Sequence, residues 1–498
     1  MSKVKTPSYI VNRRLLTTES DRLYIDKKMR IVERIYNAGV KYCKSCLTEV
    51  FNDLWYRHSL SQYQESKTDT DKKIWAAEIF MVAERYGLSE YSIHKYLGKG
   101  KTSSYKHGIG INIVQKTGTQ LYSGVKKALF GKKLHFRKYC STISFEDKKA
   151  NSGIIYNEKT GSVSIMGHEV QLKQIRYSDH YLQEAMLNKI KYCRILRLPF
   201  GNQYRYFVQF VMEGTAPKKL IPGDLKIGLD PGVSTMTAYT GDKLHFIELS
   251  KEIDRYTKKL LHLQRVYDHK MRINNPTCFN DNGTFIKGSK MLRTKSMIRT
   301  MMQLKTIYRK RSTYVKQSNN YNVNRLVEEG IYIITEPMNY KALQKRSQNS
   351  GQQEKTSEVT NKNGIVKLVH KYKRRKRFGH SILVHSPSAF IQDLQSKAIK
   401  YGGTVTYVDI KNYRASQYDH VTDTYKKCSL SERSKPIGGK IVQRDCYSAF
   451  LLYHIEDETH PNRVECLYDF KHFLHCQNML IDQHIKNANF ALIIKQAA

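Results

Sequence analysis

An excess of positive charge most limits what this chain can fold into. Lys and Arg number 85 against 44 Asp and Glu in 498 residues, a formal net charge of +41. Such an excess repels itself in a compact fold unless a polyanion neutralises it. At roughly 150 residues per domain the length suggests about three domains, enough for substantial cores. No stretch approaches the ~18 consecutive apolar residues of a spanning helix, and the opening MSKVKTPSYIVNRR lacks the apolar segment of a signal peptide, so no membrane partner is expected. Nucleic acid is the expected partner, with a basic ribosome-associated factor as the bland alternative. The 35 Tyr and 17 Phe offer stacking faces as well as ordinary core material.

Nine cysteines, an odd and scattered set, argue for free thiols in a reducing compartment. Cys43 and Cys46 form one C-x-x-C in a helix-like stretch and read as core thiols. Metal or redox chemistry is the alternative for them.

The chain changes character along its length. Residues 4–15 read as a strand with a basic end. From about 20 to 60, Ile31, Ile35, Val40, Cys43, Leu47, Val50 and Leu54 recur at mostly three- and four-residue steps, a helical stripe. Helical patterns resume over 72–97 and 108–130, the latter carrying Lys116, Lys126 and Lys127. Short apolar runs with Gly and Asn turns over 131–222 read as a β-meander. Beyond 225 the pattern is mixed: helices over 251–272, 290–328 and 387–401, and strands at IYIITE and GTVTYVDI. The polar stretch 341–380, with Arg374, Arg375 and Arg377 in KYKRRKRF, looks mobile.

Three carboxylates stand out. Asp230 lies in the strand IGLDPGVST, where Gly232 permits a close approach; an ordinary surface hairpin is the alternative. Glu336 closes IYIITE, a strand of the kind buried on both faces, and Pro337 stops the ladder. A Glu there needs a cation, whether a metal or an edge Arg. Asp445 falls in the first turn of the helix QRDCYSAFLLYH, with Ser448 and Ala449 on the same face. Its alternative is simple complementation of the helix dipole. A first-strand, a later-strand and a late-helix carboxylate together form the acidic triad of an RNase H-like fold. Such a triad holds two divalent ions about 4 Å apart that activate water and stabilise the leaving oxygen of a phosphodiester.

With these motifs in place the chain resembles TnpB, the RNA-guided nuclease of insertion sequences, and the type V CRISPR effectors (Cas12-like). The stretches LQRVYDHKMRINNPTCFNDNGTFIKGS and KKCSLSERS followed by QRDCYSAFLLYH carry the likeness, which is specific over about 225–455. The resemblance implies an α+β multidomain protein. A β-barrel-like wedge would span 1–15 and 131–224, and an inserted helical recognition domain 16–130. A RuvC nuclease domain would span 225–410 and 442–498, with a degenerate zinc-ribbon-like insert at 411–441. It implies Asp230, Glu336 and Asp445 as catalytic acids holding two Mg²⁺, which Mn²⁺ could replace. Arg444 would contact the scissile phosphate or pair with nearby carboxylates. Lys116, Lys126, Lys127, Arg374, Arg375 and Arg377 would bind nucleic acid. The implied partners are a guide RNA, from a transposon end or a CRISPR array, and double-stranded target DNA. The implied setting is a prokaryotic cytoplasm and its nucleoid, as monomer or dimer on one RNA.

The insert departs from the family. Tyr418 and His420 stand where Cys would be expected, and only Cys428 remains before Asp445. Two ligands do not make a four-ligand zinc site, so no structural zinc is expected and the segment reads as a basic loop. The rival readings are an actin-like phosphate-binding fold, an RNA-guided binder that does not cut, and a guide-free transposase or resolvase.

Overall fold

The computed structural model describes residues 6–99, 108–137, 143–344, 352–360, 366–372, 378–427, 429 and 432–484. It divides into two compact units, Met1–Lys219 with Val266–Thr306, and Leu220–Arg265 with Ile307–Ala498.

In the first unit β1 (Ser8–Leu16) runs straight into α1 (Glu19–Asn52). Thr18 makes the change of direction: its hydroxyl accepts from the Asp21 amide while the Asp21 carboxylate accepts from the Thr18 amide, a reciprocal cap. The apolar stripe of α1 (Ile25, Met29, Val32, Tyr36, Val40, Cys43, Leu47, Val50) is buried. The single stripe read over 20–60 is two helices, because the Asp53 side chain accepts from the Tyr56 amide and starts α2 (Leu54–Glu65) afresh. There follow α3 (Asp69–Arg85), α4 (Glu90–Gly98) and α5 (Ile111–Ala128). The chain then returns to strands: β2 (Ile143–Glu146), β3 (Ile154–Asn157), β4 (Ser162–Ile165) and β5 (His168–Leu172). After the short α6 (His180–Ala185) come β6 (Ile190–Phe200) and β7 (Gln203–Glu213). The sheet order is β2-β6-β7-β1-β5-β4-β3, with antiparallel pairs, so the first strand of the chain is the middle strand of the sheet. Cys43 is buried in the helical core, which pushes its thiol up to about 12, and Cys46 is half-buried; both are free thiols.

The second unit is built on β8 (Leu225–Pro231), β9 (Thr235–Tyr239), β10 (Leu244–Glu248), β11 (Gly330–Thr335) and β14 (Thr404–Tyr407), in the order β10-β9-β8-β11-β14. The first three form an antiparallel meander, and β11 and β14 run parallel to β8. Of α7 (Ile253–Asn274) and α8 (Lys295–Glu329) this unit holds residues 253–265 and 307–329, and its other helices are α9 (Tyr340–Leu343), α10 (Gly379–His385), α11 (Pro387–Lys400), α12 (Arg444–Tyr453) and α13 (Arg463–His484). One apolar cluster joins Ile227 and Leu229 to Val323 and Val327 of α8 and to Phe390 and Leu394 of α11. Another joins Tyr239 to Tyr447, Phe450 and Leu451 of α12 and Phe473 of α13.

Two expectations change here. The polar stretch 341–380, read as mobile, contains an antiparallel hairpin, β12 (Gln352–Thr360) with β13 (Val366–Tyr372). The segment 411–441, read as a basic loop, holds two small ladders. These are β15 (Tyr418–Asp419) with β16 (Thr424–Tyr425), and β17 (Ser434–Ile437) with β18 (Lys440–Gln443). Among the described residues no helix is long and apolar enough to cross a membrane.

Candidate active site

Gly228 lies where α12 crosses β8. A Cβ at this position would fall on the Ala449 carbonyl and the Tyr453 amide, so only glycine lets the helix rest on the strand backbone. Asp230 is two residues further along and therefore on the same face of the sheet. Asp445 is one helical turn before Ala449, which brings it toward the same end of β8. Gln443 sets this first turn, its side-chain carbonyl accepting from the Cys446 amide.

Glu336 comes from the neighbouring strand. In the parallel register of β8 and β11, Thr335 faces Leu229, and Glu336 and Asp230 each follow directly. Beyond Asp230 the chain is pinned by Tyr340, whose hydroxyl donates to the Gly232 carbonyl at 3.0 Å.

Asp230 senses both of the other acids. Burial raises the Asp230 carboxyl well above the usual carboxylate range, and the charges of Asp445 and then Glu336 raise it further. Arg444 and Arg433 work the other way. Burial also raises Glu336. Glu336 opens onto a cleft walled by Met338, Lys341, Gln392, Gln395 and Tyr407. Asp445 faces cations: Arg444 Nη2 lies 3.5 Å from one carboxylate oxygen, Arg433 Nη1 3.6 Å and Gln443 Nε2 3.3 Å from the other. Arg444 also donates through Nη1 to the carbonyls of Ser429 and Glu432, at 3.2 and 3.1 Å.

The donor set fits a hard divalent cation: carboxylate oxygens only, one of them at a site that disfavours its own negative charge. The geometry is not yet that of a loaded site. Among the described residues no group of three Asp, Glu, His or Cys side chains is gathered closely enough to hold one ion.

The other site residues divide. Lys116 is committed inside the first unit, 3.7 Å from Glu146 and with its ammonium 4.4 Å from the centre of the Tyr192 ring. Lys126 and Lys127 are exposed on α5, Lys126 lying beside the Tyr122 ring. Arg374, Arg375, Arg377 and Cys428 lie outside the described residues. His420 is fully buried between Tyr447, Phe450 and Phe470, with Nδ1 2.7 Å from the Tyr447 hydroxyl. Burial pushes it down to about 4, so it is neutral at ordinary pH. Sequence reasoning missed Tyr340 and Arg433. The aromatic residue four positions after Glu336 was the one available signal for the first.

No family model matches the chain, and no curated protein matches it either. Among solved structures it is similar to a Cas12f1–sgRNA–target DNA complex, at 9% identity over 90% of this chain and 99% of the other, with a TM-score of 0.45. A CRISPR–Cas12f ternary complex is also similar, at 9% identity over 87% and 82% of the two chains and a TM-score of 0.25. A Cas12i1 R-loop complex matches at 10% identity over 87% and 61%, with a TM-score of 0.23.

Proposed function

We propose that the chain is an RNA-guided DNA endonuclease with a RuvC-type centre on Asp230, Glu336 and Asp445. One observation carries the reading: the end of an adjacent parallel strand and the first turn of a helix laid on β8 bring Glu336 and Asp445 within electrostatic reach of Asp230. The antiparallel meander continued by two parallel strands supports an RNase H-like assignment for the second unit. The net charge of +41 supports a polyanionic partner, and the sequence likeness to TnpB and the type V effectors supports a guide RNA.

In this reading Asp230, Glu336 and Asp445 would hold two Mg²⁺, which when bound would supply an activated water and charge stabilisation for the leaving oxygen. The side chains do the rest. Tyr340 fixes the turn after Asp230, Gln443 fixes the turn that carries Asp445, and Arg444 holds the carbonyls of Ser429 and Glu432. The cleft next to Glu336 offers Lys341, Gln392 and Gln395 to a strand lying across it. Pairing with the guide would select the sequence.

A second reading, RNA-guided binding without cleavage, is favoured by the hold of Arg433 and Arg444 on Asp445. The test is to purify the protein with its RNA, sequence that RNA, and incubate the complex with matched duplex and Mg²⁺. Cleavage that disappears in Asp230→Ala supports the nuclease. Binding without any cut supports the second reading, and the absence of a discrete RNA removes the guide from both.

A further inference from the structure

At the opposite end of β8 from Asp230 lies a cleft of about 1080 Å³. Lys226 is four residues before Asp230, ~13 Å along a strand. Tyr453 and His454 close the far end of α12, a similar ~13 Å from Asp445. The cleft is therefore separate from the acidic centre. Its walls are the β9–β10 turn at Gly241 and Asp242, the end of α12, and the outer face of the first turns of α13.

A buried polar chain backs this cleft. The Tyr239 hydroxyl donates to Asp469 Oδ2 at 2.6 Å, and His454 Nε2 donates to the same oxygen at 2.9 Å. Burial works against the Asp469 charge, but these donors outweigh it and hold the carboxyl below its usual range. His454 is only 5% exposed, and its Nδ1 lies 3.4 Å from a carboxylate oxygen of Glu465, which stands half in solvent. Glu465 stands at the outer end of this network, a half-exposed acceptor on the wall of the cleft.

Besides Val464 and the Asp242 carboxylate at the β9–β10 turn, the remaining lining is basic or aromatic. Lys226 rests its ammonium 4.7 Å from the centre of the Tyr453 ring. Lys471, His472 and His475 project from α13, and Tyr468 is 92% exposed on the rim. Among the described residues the side chains do not gather into a metal site. A half-exposed carboxylate, nearby ammonium groups and an exposed aromatic face instead match the three parts of a nucleotide: donor edge, phosphate and flat ring.

We propose that this cleft binds one unpaired nucleotide and prefers guanine. Glu465 accepts from the base edge, Lys471 and Lys226 meet the phosphate, and Tyr468 stacks on the ring. Guanine is favoured because its N1–H and N2–H₂ lie side by side and can both donate to one carboxylate. Adenine and cytosine offer an amino group and uracil an imino group there. The inference does not depend on the nuclease reading.

The test uses the full chain stripped of RNA, titrated calorimetrically at physiological salt. The probes are guanosine, adenosine, cytidine and uridine 5′-monophosphates, deoxyguanosine monophosphate and inorganic phosphate. Guanosine monophosphate should saturate a single site at least about ten-fold more tightly than uridine monophosphate, the effect of one charge-assisted hydrogen bond. Glu465→Gln should abolish that preference and Lys471→Ala should weaken all four nucleotides, both with unchanged melting temperature. Asp230→Ala should change nothing. A ribose preference would place the nucleotide in RNA, and equal binding of the deoxy form would admit a DNA strand. Equal affinity for all four bases, no saturation, or wild-type binding by both cleft variants would overturn the proposal.

Discussion

The hydroxyl of Thr335 donates to the backbone carbonyl of Leu229 at 2.9 Å, a side-chain bond between two strands already paired through their backbones. Each residue directly precedes an acid. The bond therefore locks the register that sets Glu336 beside Asp230. Thr335→Val keeps the shape and removes the donor, so we expect a loss of about 1 kcal/mol in stability by denaturant unfolding. Cleavage should fall by more than that loss of folded protein accounts for. A proportionate fall would deny the bond any role beyond stability.

Gly228→Ala should be far more damaging than an exposed Gly→Ala change. The new Cβ would meet backbone on α12, which cannot rotate away as a side chain can. We expect a loss of roughly 1–3 kcal/mol and a displaced Asp445. Retention of both the wild-type melting temperature and activity would mean that the helix does not sit on the strand.

Asp230→Asn separates folding from chemistry. The Asp230 carboxyl is raised above its unfolded value, so its ionised form is disfavoured in the folded chain. Its contribution to stability is greatest below the unfolded value near 3.8 and is lost as pH rises through the raised one. At neutral pH and without divalent metal, Asp230→Asn should therefore melt higher than the wild type. It should also lose the stabilisation that Mg²⁺ gives the wild type, and cut at least about 100-fold more slowly. A lower melting temperature in metal-free buffer would contradict the repulsion among the acids.

Arg433 approaches Asp445 from the 411–441 segment and is itself 43% exposed. Arg433→Gln should leave the unfolding free energy within about 1 kcal/mol of wild type, as expected for a partly exposed pair. It should tighten Mn²⁺ binding measured by calorimetry, because one competitor for the Asp445 oxygens is gone. Weaker binding would show that Arg433 supports the metal site instead.

His420 sets an acid limit on stability. Its folded value, about 4, lies below the ordinary histidine value of 6.5, so the unfolded chain takes the proton first. Stability is intact above about pH 6.5 and falls as pH drops toward 4, by at most ~1.4 kcal/mol per pH unit from this group. In His420→Gln the fall between neutral pH and about pH 5 should be shallower. Identical slopes would assign the acid sensitivity to another residue.

Much of the second unit is legible because its signals are local. IYIITE reads as a buried strand from its β-branched run, and Asp445 reads as first-turn from the small residues after it. The strands at 434–437 and 440–443 were also within reach, since Gly438 and Gly439, both with positive φ, form the turn between them. The surrounding lysines and serines masked it. The 352–372 hairpin escaped for a similar reason: its strands alternate Thr and Val with Lys, Glu and His, so no apolar face announces a core. Tyr239, His454 and Asp469 escaped for a different one. They are spread over 230 positions, and nothing in the local sequence of any one of them names the other two.

The middle place of β1 in its sheet fixes the order in which the newly made chain can settle. Arg14 pairs with Phe207 and Leu15 with Leu172, so both neighbours of β1 are synthesised more than 150 residues after it. The intervening helices have local contacts and can form while translation continues. Until β5 and β7 leave the ribosome, both edges of β1 stay unpaired, the condition under which a strand recruits the wrong partner. Its NRR sequence places two arginines on that waiting strand, and their charge would keep nascent copies from pairing edge to edge.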